Sequence, residues 1–266
     1  MKTTAHLLLV FFICLSANSL AQQHLKPLSP VDPKKGVIYN TETSFDFRLH
    51  TNGPFSIGFN KAKIKTYYLT RFIHVEVGEL KHPKENRYNI NRNFLSGPPT
   101  SSFVYGKQNA LFTLRAGLGR KRYYSERARR KGVRVGLSYE AGPVLGFVKP
   151  YYLDIIVNES GGGRPTIIKL RYTEENLGQF LNPWNIAGYS GFFKGLNELS
   201  LVPGLQAQVA LHLEWGSEDE ILRVLEMGFM LDAFPKKIPL LIELDDNKNR
   251  PFFINLFLNL QLGKRK

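Results

Sequence analysis

The chain closes on a strict alternation. From Phe252 onward the even positions Phe252, Ile254, Leu256, Leu258, Leu260 and Leu262 are all apolar, whereas Asn255, Asn259 and Gln261 place amides between them. Side chains of a strand point alternately to its two faces, so one face here is apolar throughout and the other is wet. The length matches the roughly 9–11 residues that a tilted strand needs to cross a bilayer. The same pattern recurs upstream. In Gly36–Leu49, Thr41, Thr43, Phe45, Phe47 and Leu49 oppose Glu42, Ser44, Asp46 and Arg48. Phe55–Asn60, Thr66–Gly78, Asn109–Leu118, Val133–Val157, Leu205–Trp215 and Glu218–Leu231 alternate likewise, although Ile221–Glu226 also suits a helix start.

This periodicity predicts an all-β chain, a transmembrane antiparallel up-and-down β-barrel of about eight strands. Long outer loops at Leu80–Lys107, Asn158–Pro203 and Ala233–Arg250 alternate with tight connections, one of them marked by Lys61, Lys63 and Lys65. The count of eight treats Val133–Val157 as one bent strand. A turn at Gly142-Pro143, with a further strand inside Asn158–Pro203, would give ten. The rival is a soluble periplasmic barrel or sandwich that binds a ligand, with the apolar faces turned inward. The wet faces carry amides, hydroxyls, glycines and mixed charges, and Tyr39, Tyr67, Tyr139, Tyr151 and Trp215 lie near strand ends as interfacial aromatics do. Both features favour the membrane.

Three properties of the whole chain sharpen the picture. Residues 1–21 read as a secretory signal, with Lys2, the apolar run Leu7–Leu15 and the small-residue ending Asn18–Ala21. A flexible leader, residues 22–35, then precedes the barrel at 36–266. The single cysteine, Cys14, falls inside the signal, which excludes disulfides and thiolate chemistry from the mature chain. The net charge is +14, or +13 without Lys2 (35 basic against 22 acidic residues). For an exported chain the anions to expect are outer-membrane lipid and lipopolysaccharide phosphates, not nucleic acid.

Candidate chemistry falls into three groups. The wet faces and the bend after Lys149 contribute a lumen polar network of Glu42, Asp46, Arg48, His74, Glu76, Arg115, Arg134, Glu140, Asp154, His212, Glu214 and Glu226. A narrow barrel is filled by its side chains, so these charges must pair with one another. His74-x-Glu76 and His212-x-Glu214 each put two potential ligands on one face, yet a salt-bridged plug accounts for them without a metal or any other cofactor. The second group, Arg120, Arg122, Arg127, Arg129 and Arg130, forms a basic run at a turn and is a candidate anion-binding rim. The third group is Phe180, Trp184, Tyr189, Phe192 and Phe193 in Asn158–Pro203. That segment is too apolar for a solvated tail, and its aromatics suit a lid over the mouth or contacts with a partner.

The signal, the hairpin spacing, the His82-Pro-Lys-Glu85 loop, the Lys149-Pro-Tyr-Tyr152 bend and the Leu260-Gln-Leu-Gly263 ending resemble an outer-membrane β-barrel family of the Bacteroidota. The resemblance spans most of the mature chain. It implies the fold and a bacterial outer-membrane location, and it lends no catalytic residues. Such barrels commonly finish on an aromatic, whereas this chain finishes on Gly263-Lys-Arg-Lys266. The expected role is non-catalytic: binding, assembly or envelope integrity carried by the long loops, with lipopolysaccharide or another envelope protein as partner. The alternative is a small-barrel enzyme that modifies lipid or lipopolysaccharide, although no Gly-x-Ser-x-Gly nucleophile motif is present.

Overall fold

A computed structural model describes residues 39–88, 101–125, 132–157, 166–216, 220–244 and 248–266. The expected signal, leader and most of the basic turn lie outside these residues. In chain order the strands are β1 (Thr41–His50), β2 (Ser56–Thr66), β3 (Leu69–Leu80), β4 (Arg87–Tyr88), β5 (Phe103–Val104), β6 (Asn109–Tyr123) and β7 (Arg134–Pro150). They continue as β8 (Tyr152–Val157), β9 (Thr166–Arg171), β10 (Ile186–Tyr189), β11 (Ser200–Glu214), β12 (Ile221–Ala233) and β13 (Phe252–Arg265). One short helix, α1 (Leu177–Phe180), lies between β9 and β10.

Eight strands close a barrel in the order β1-β13-β12-β11-β7-β6-β3-β2, every neighbour antiparallel. The last strand seals against the first, with Phe45 opposite Leu262 and Leu49 opposite Leu258. Closure leaves no strand edge among these eight to be protected. The register preserves the face expected for each strand, because a slip of one residue would turn its whole apolar set inward.

The consequence is an inverted molecule. Phe45, Leu49, Ile73, Val77, Leu118, Phe229 and Ile254 point outward and are each 57–68 % exposed. Glu42, Asp46, Glu76, His212, Glu214, Asp232 and Asn259 point inward and are each at most 1 % exposed. A soluble barrel buries its apolar faces and wets its charges. Here both are reversed, which removes the physical basis of the soluble reading.

Strand ends depart from expectation at several places, among them β11, which begins at Ser200 within the expected loop Asn158–Pro203. Lys61, Lys63 and Lys65 belong to β2, whose partner residues on β3 begin at Leu69, so the turn is at Tyr67-Tyr68. Arg120, Lys121 and Arg122 likewise extend β6. Val133–Val157 splits. β7 runs straight through Gly142-Pro143 as a barrel strand, and after Pro150 the chain leaves the barrel to form β8 in a separate sheet, β10-β8-β9. Eight barrel strands therefore stand, and the extra strands of Asn158–Pro203 lie outside the barrel.

The termini share one end with the turns β2–β3, β6–β7 and β11–β12. The opposite, outer end carries the β3–β6, β7–β11 and β12–β13 connections. Inward-facing Leu111, Val144, Val148 and Val202 at this end pack with Phe234, Ile238 and Leu240. The last loop thus stoppers the mouth, a role the sequence had suggested for Asn158–Pro203. A second apolar cluster, Phe103, Tyr151, Leu153, Ile155, Phe180, Ile186 and Ile242, is the core of a small cap built on β8, β9 and β10.

Candidate functional site

The lumen is crossed by ion pairs between strands that are not neighbours. Arg115 of β6 bonds Asp232 of β12 through both carboxylate oxygens, at 2.8 and 2.9 Å. Its remaining terminal nitrogen reaches Glu76 at 2.7 Å. Arg48 of β1 meets Glu76 at 2.7 Å and Gln208 of β11 at 2.8 Å, and lies 4.3 Å from the centre of the Phe257 ring. The His74 ring sits between Asp46 (Nε2–Oδ2, 3.2 Å) and Glu140 (Nδ1–Oε2, 3.1 Å). Glu140 also accepts from the side-chain amides of Gln206 and Gln208.

Glycine makes room for this chemistry. A Cβ at Gly117 would lie 1.9 Å from Glu140 Oε1, and one at Gly58 would lie 2.6 Å from His74 Nε2. Larger residues there would displace the carboxylate or the ring.

Toward the termini a second set repeats the arrangement. Lys121 bonds Glu42 at 2.9 Å and Gln261 at 3.1 Å. Arg265 joins Glu42 at 3.2 Å and Glu214 at 2.7 Å. Tyr123 donates to Glu214 at 3.1 Å, and Arg134 lies 3.6 Å from the centre of the Tyr123 ring. His212 meets Glu226 at 2.7 Å, and the other Glu226 oxygen accepts from Asn259 and Gln261. Each charge thus lies within bonding distance of an opposite charge or an amide, as burial in a low-dielectric interior demands. This arrangement is a plug of interlocked charges.

Of the residues expected in the lumen, Glu42, Asp46, Arg48, His74, Glu76, Arg115, Arg134, Glu140, His212, Glu214 and Glu226 are there. Asp154 is not. It lies on β8 in the cap, where Ser190 donates to it at 2.5 Å. Lys121, Tyr123, Asp232 and Arg265 complete the network without having been expected. All four lie beyond the ends expected for their strands, at Leu118, Leu231 and Leu262. Among the described residues no group of three or more His, Cys, Asp or Glu is arranged to hold a metal ion.

The loop aromatics have different fates. Phe180 is fully buried in the cap core, so it packs the cap instead of presenting a contact. Tyr189 stacks flat on Tyr151 at 4.6 Å, so Tyr151 is a cap residue and not part of an interfacial girdle. Phe192 packs edge-on against Phe112 of the barrel exterior, with Phe193 beside it at 83 % exposure. Trp184 is 77 % exposed, on the cap itself. Lys149, buried, donates to the carbonyls of Phe192 (2.7 Å) and Lys194 (3.0 Å) and so ties this stretch to the end of β7.

The cap also sets its own titration. Burial pushes the Tyr151 hydroxyl up to about 12, against the opposing hydrogen bond it accepts from the Val104 N–H. The Tyr152 hydroxyl donates to Glu198 at 2.6 Å, which holds that carboxyl below its ordinary range and raises the tyrosine. Of the anion candidates, Arg120 and Arg122 face outward on β6, whereas Arg127, Arg129 and Arg130 lie outside the described residues.

No family model and no curated protein matches the chain. Among solved structures it is similar to Neisserial surface protein A, at 9 % identity and a TM-score of 0.35, covering 85 % of this chain and 95 % of that one. It is also similar to the N-terminal β-barrel domain of Pseudomonas aeruginosa OprF, at 8 % identity and a TM-score of 0.34, covering 85 % of this chain and 97 % of that one.

Proposed function

We propose that the chain is a non-catalytic outer-membrane β-barrel that serves in binding, assembly or envelope integrity through the loops at its outer end. The membrane part of this reading rests on the inverted polarity, since a belt of exposed Phe, Leu, Ile and Val is stable only against lipid. The non-transport part rests on the plug. Cross-lumen pairs such as Arg115–Asp232 place side chains across the barrel interior, where a narrow barrel is filled by them. The single observation that carries the binding role is the cap: a separately cored unit that carries Trp184 at 77 % exposure. Exposed aromatics on a rigid base are favoured contact anchors. The partner chemistry in keeping with this position is lipopolysaccharide or another envelope protein.

A lipid-modifying enzyme would need a nucleophile beside a base. Ser190, the serine bonded to a carboxylate in the cap, has Asp154 as its partner, while His74 and His212 are committed inside the lumen.

Photocrosslinking in cells tests the role, with benzoylphenylalanine placed at Trp184, at Phe193 and, as a lipid-facing control, at Phe229. Discrete protein or lipopolysaccharide adducts from the cap positions, absent from position 229, are the expected result. Lipid hydrolysis by the purified protein that Ser190→Ala abolishes would contradict the proposal.

A further inference from the structure

The exterior of the barrel carries a second feature, at the end shared by the termini. Lys63 on β2 stands directly opposite Arg71 on β3, and Arg71 stands directly opposite Arg120 on β6. All three face outward and are exposed. Like charges facing one another across strands repel and destabilise a sheet, and among the described residues none of the three forms an ion pair with a carboxylate. Two residues further along their strands, roughly 7 Å at the usual rise, Ile73 and Leu118 are paired and begin the apolar belt. A groove of about 670 Å³ joins the cations to these two side chains. Tyr139, opposite Arg120 and half-exposed, closes one side.

We infer that this groove is a binding site for an anionic phospholipid of the leaflet on the terminal side. The phosphodiester lies between Arg71 and Arg120, with Lys63 at its rim, and an acyl chain runs over Ile73 and Leu118. The charge pattern selects the ligand. Guanidinium groups match phosphate oxygens with two parallel hydrogen bonds, and an anion between directly opposed cations turns their repulsion into shared attraction. The position selects the source, because a headgroup held where the apolar belt begins has its chains already at the depth they occupy in a bilayer. A free anion would leave Ile73 and Leu118 uncovered. The inference rests on the membrane reading proposed above.

The test is native mass spectrometry of the full-length protein released from bilayers containing equal phosphatidylglycerol and phosphatidylcholine. Phosphatidylglycerol should remain bound. Arg71→Gln with Arg120→Gln should reduce its retention about 10- to 30-fold, from roughly 1 kcal/mol per cation at an anionic surface. Arg223→Gln, an exposed cation on β12, should leave retention unchanged. Equal retention of the two lipids, or an unaffected double variant, overturns the inference. So does added inorganic phosphate binding as tightly as phosphatidylglycerol. Heat-modifiable gel mobility on the same samples separates the two levels. A barrel that inserts without lipid preference defeats this inference alone, whereas a chain that never inserts defeats the membrane reading beneath it.

Discussion

Arg115 holds the middle of the lumen together, with two carboxylates from different strands closing on one guanidinium. Removing it leaves Asp232 without an ion-pair partner among the described residues, whereas Glu76 keeps Arg48. Arg115→Met should therefore destabilise the folded barrel by about 3–5 kcal/mol, the usual cost of leaving a buried charge unpaired. Arg115→Met with Asp232→Leu should recover most of that loss, because both ends of the interaction become apolar. Urea titration in lipid vesicles measures both, and equal losses from the single and double variants would show that the pair is not the source. On the opposite face Phe229 has Met227 and Leu231 along its own strand, with Val209 and Leu256 across from it. Phe229→Arg should cost about 2–4 kcal/mol if it sits at mid-bilayer depth. A neutral result in the same titration would mean that lipid does not touch this face. Most of these inward residues were legible from alternation alone. Lys121 and Arg265 were not, because polar residues on both faces surround them and erase the period, and Asp232 was not, because the expected strand stops at Leu231 whereas β12 alternates on through Ala233. Asp154 was misplaced for the converse reason: it alternates, but in a sheet that is not part of the barrel.

The elements show the same boundary between what pattern conveys and what it cannot. Strand number and facing follow from the apolar period, since a lipid belt demands an apolar residue at nearly every second position. Strand length does not, because outside the belt Lys61, Lys63, Arg120 and Arg122 face water or headgroups without breaking the hydrogen-bond ladder. The split after Pro150 was also hidden, as Tyr152–Val157 keeps a strand composition while changing sheets. The cap that results has its own core, so it should open separately from the barrel. Phe180→Ala, which empties the centre of that core, should cost about 3–5 kcal/mol of cap stability. Limited proteolysis is then expected to cut within β8–β10 while heat-modifiable mobility persists, and loss of the barrel as well would show that the two form one cooperative unit. Alkali should act on the same element. An unfolded tyrosine ionises near 10, roughly, whereas Tyr151 in the cap titrates at about 12. Its neutral form is the one the folded cap favours, so the cap keeps full stability below the lower value and loses it as pH rises through this window. Tyr151→Phe should reduce that loss, leaving the share due to Tyr152 and Tyr189, whose hydroxyls are raised as well, as read by cap proteolysis between the two pH values. Equal alkaline lability in the variant would place the titration elsewhere.

At the scale of the whole molecule, the barrel has an apolar belt around a lumen crossed by ion pairs and closed at its outer mouth by the last loop. Its stability depends on its surroundings, because the exposed belt calls for lipid and the buried charges call for one another. The proposed binding roles fall at two places on this frame, the cap at the outer end and the cationic groove at the terminal end. All of this depends on the outward face of the barrel meeting lipid. That contact is tested most directly by nitroxide labels placed one at a time at Met227, Phe229 and Leu231 of β12 in reconstituted vesicles, with collision rates measured against oxygen and against a water-soluble nickel chelate. High oxygen access and low nickel access are expected at all three positions. Labels that collide freely with the nickel chelate would mean that this face is in water, and the barrel would then not span a membrane.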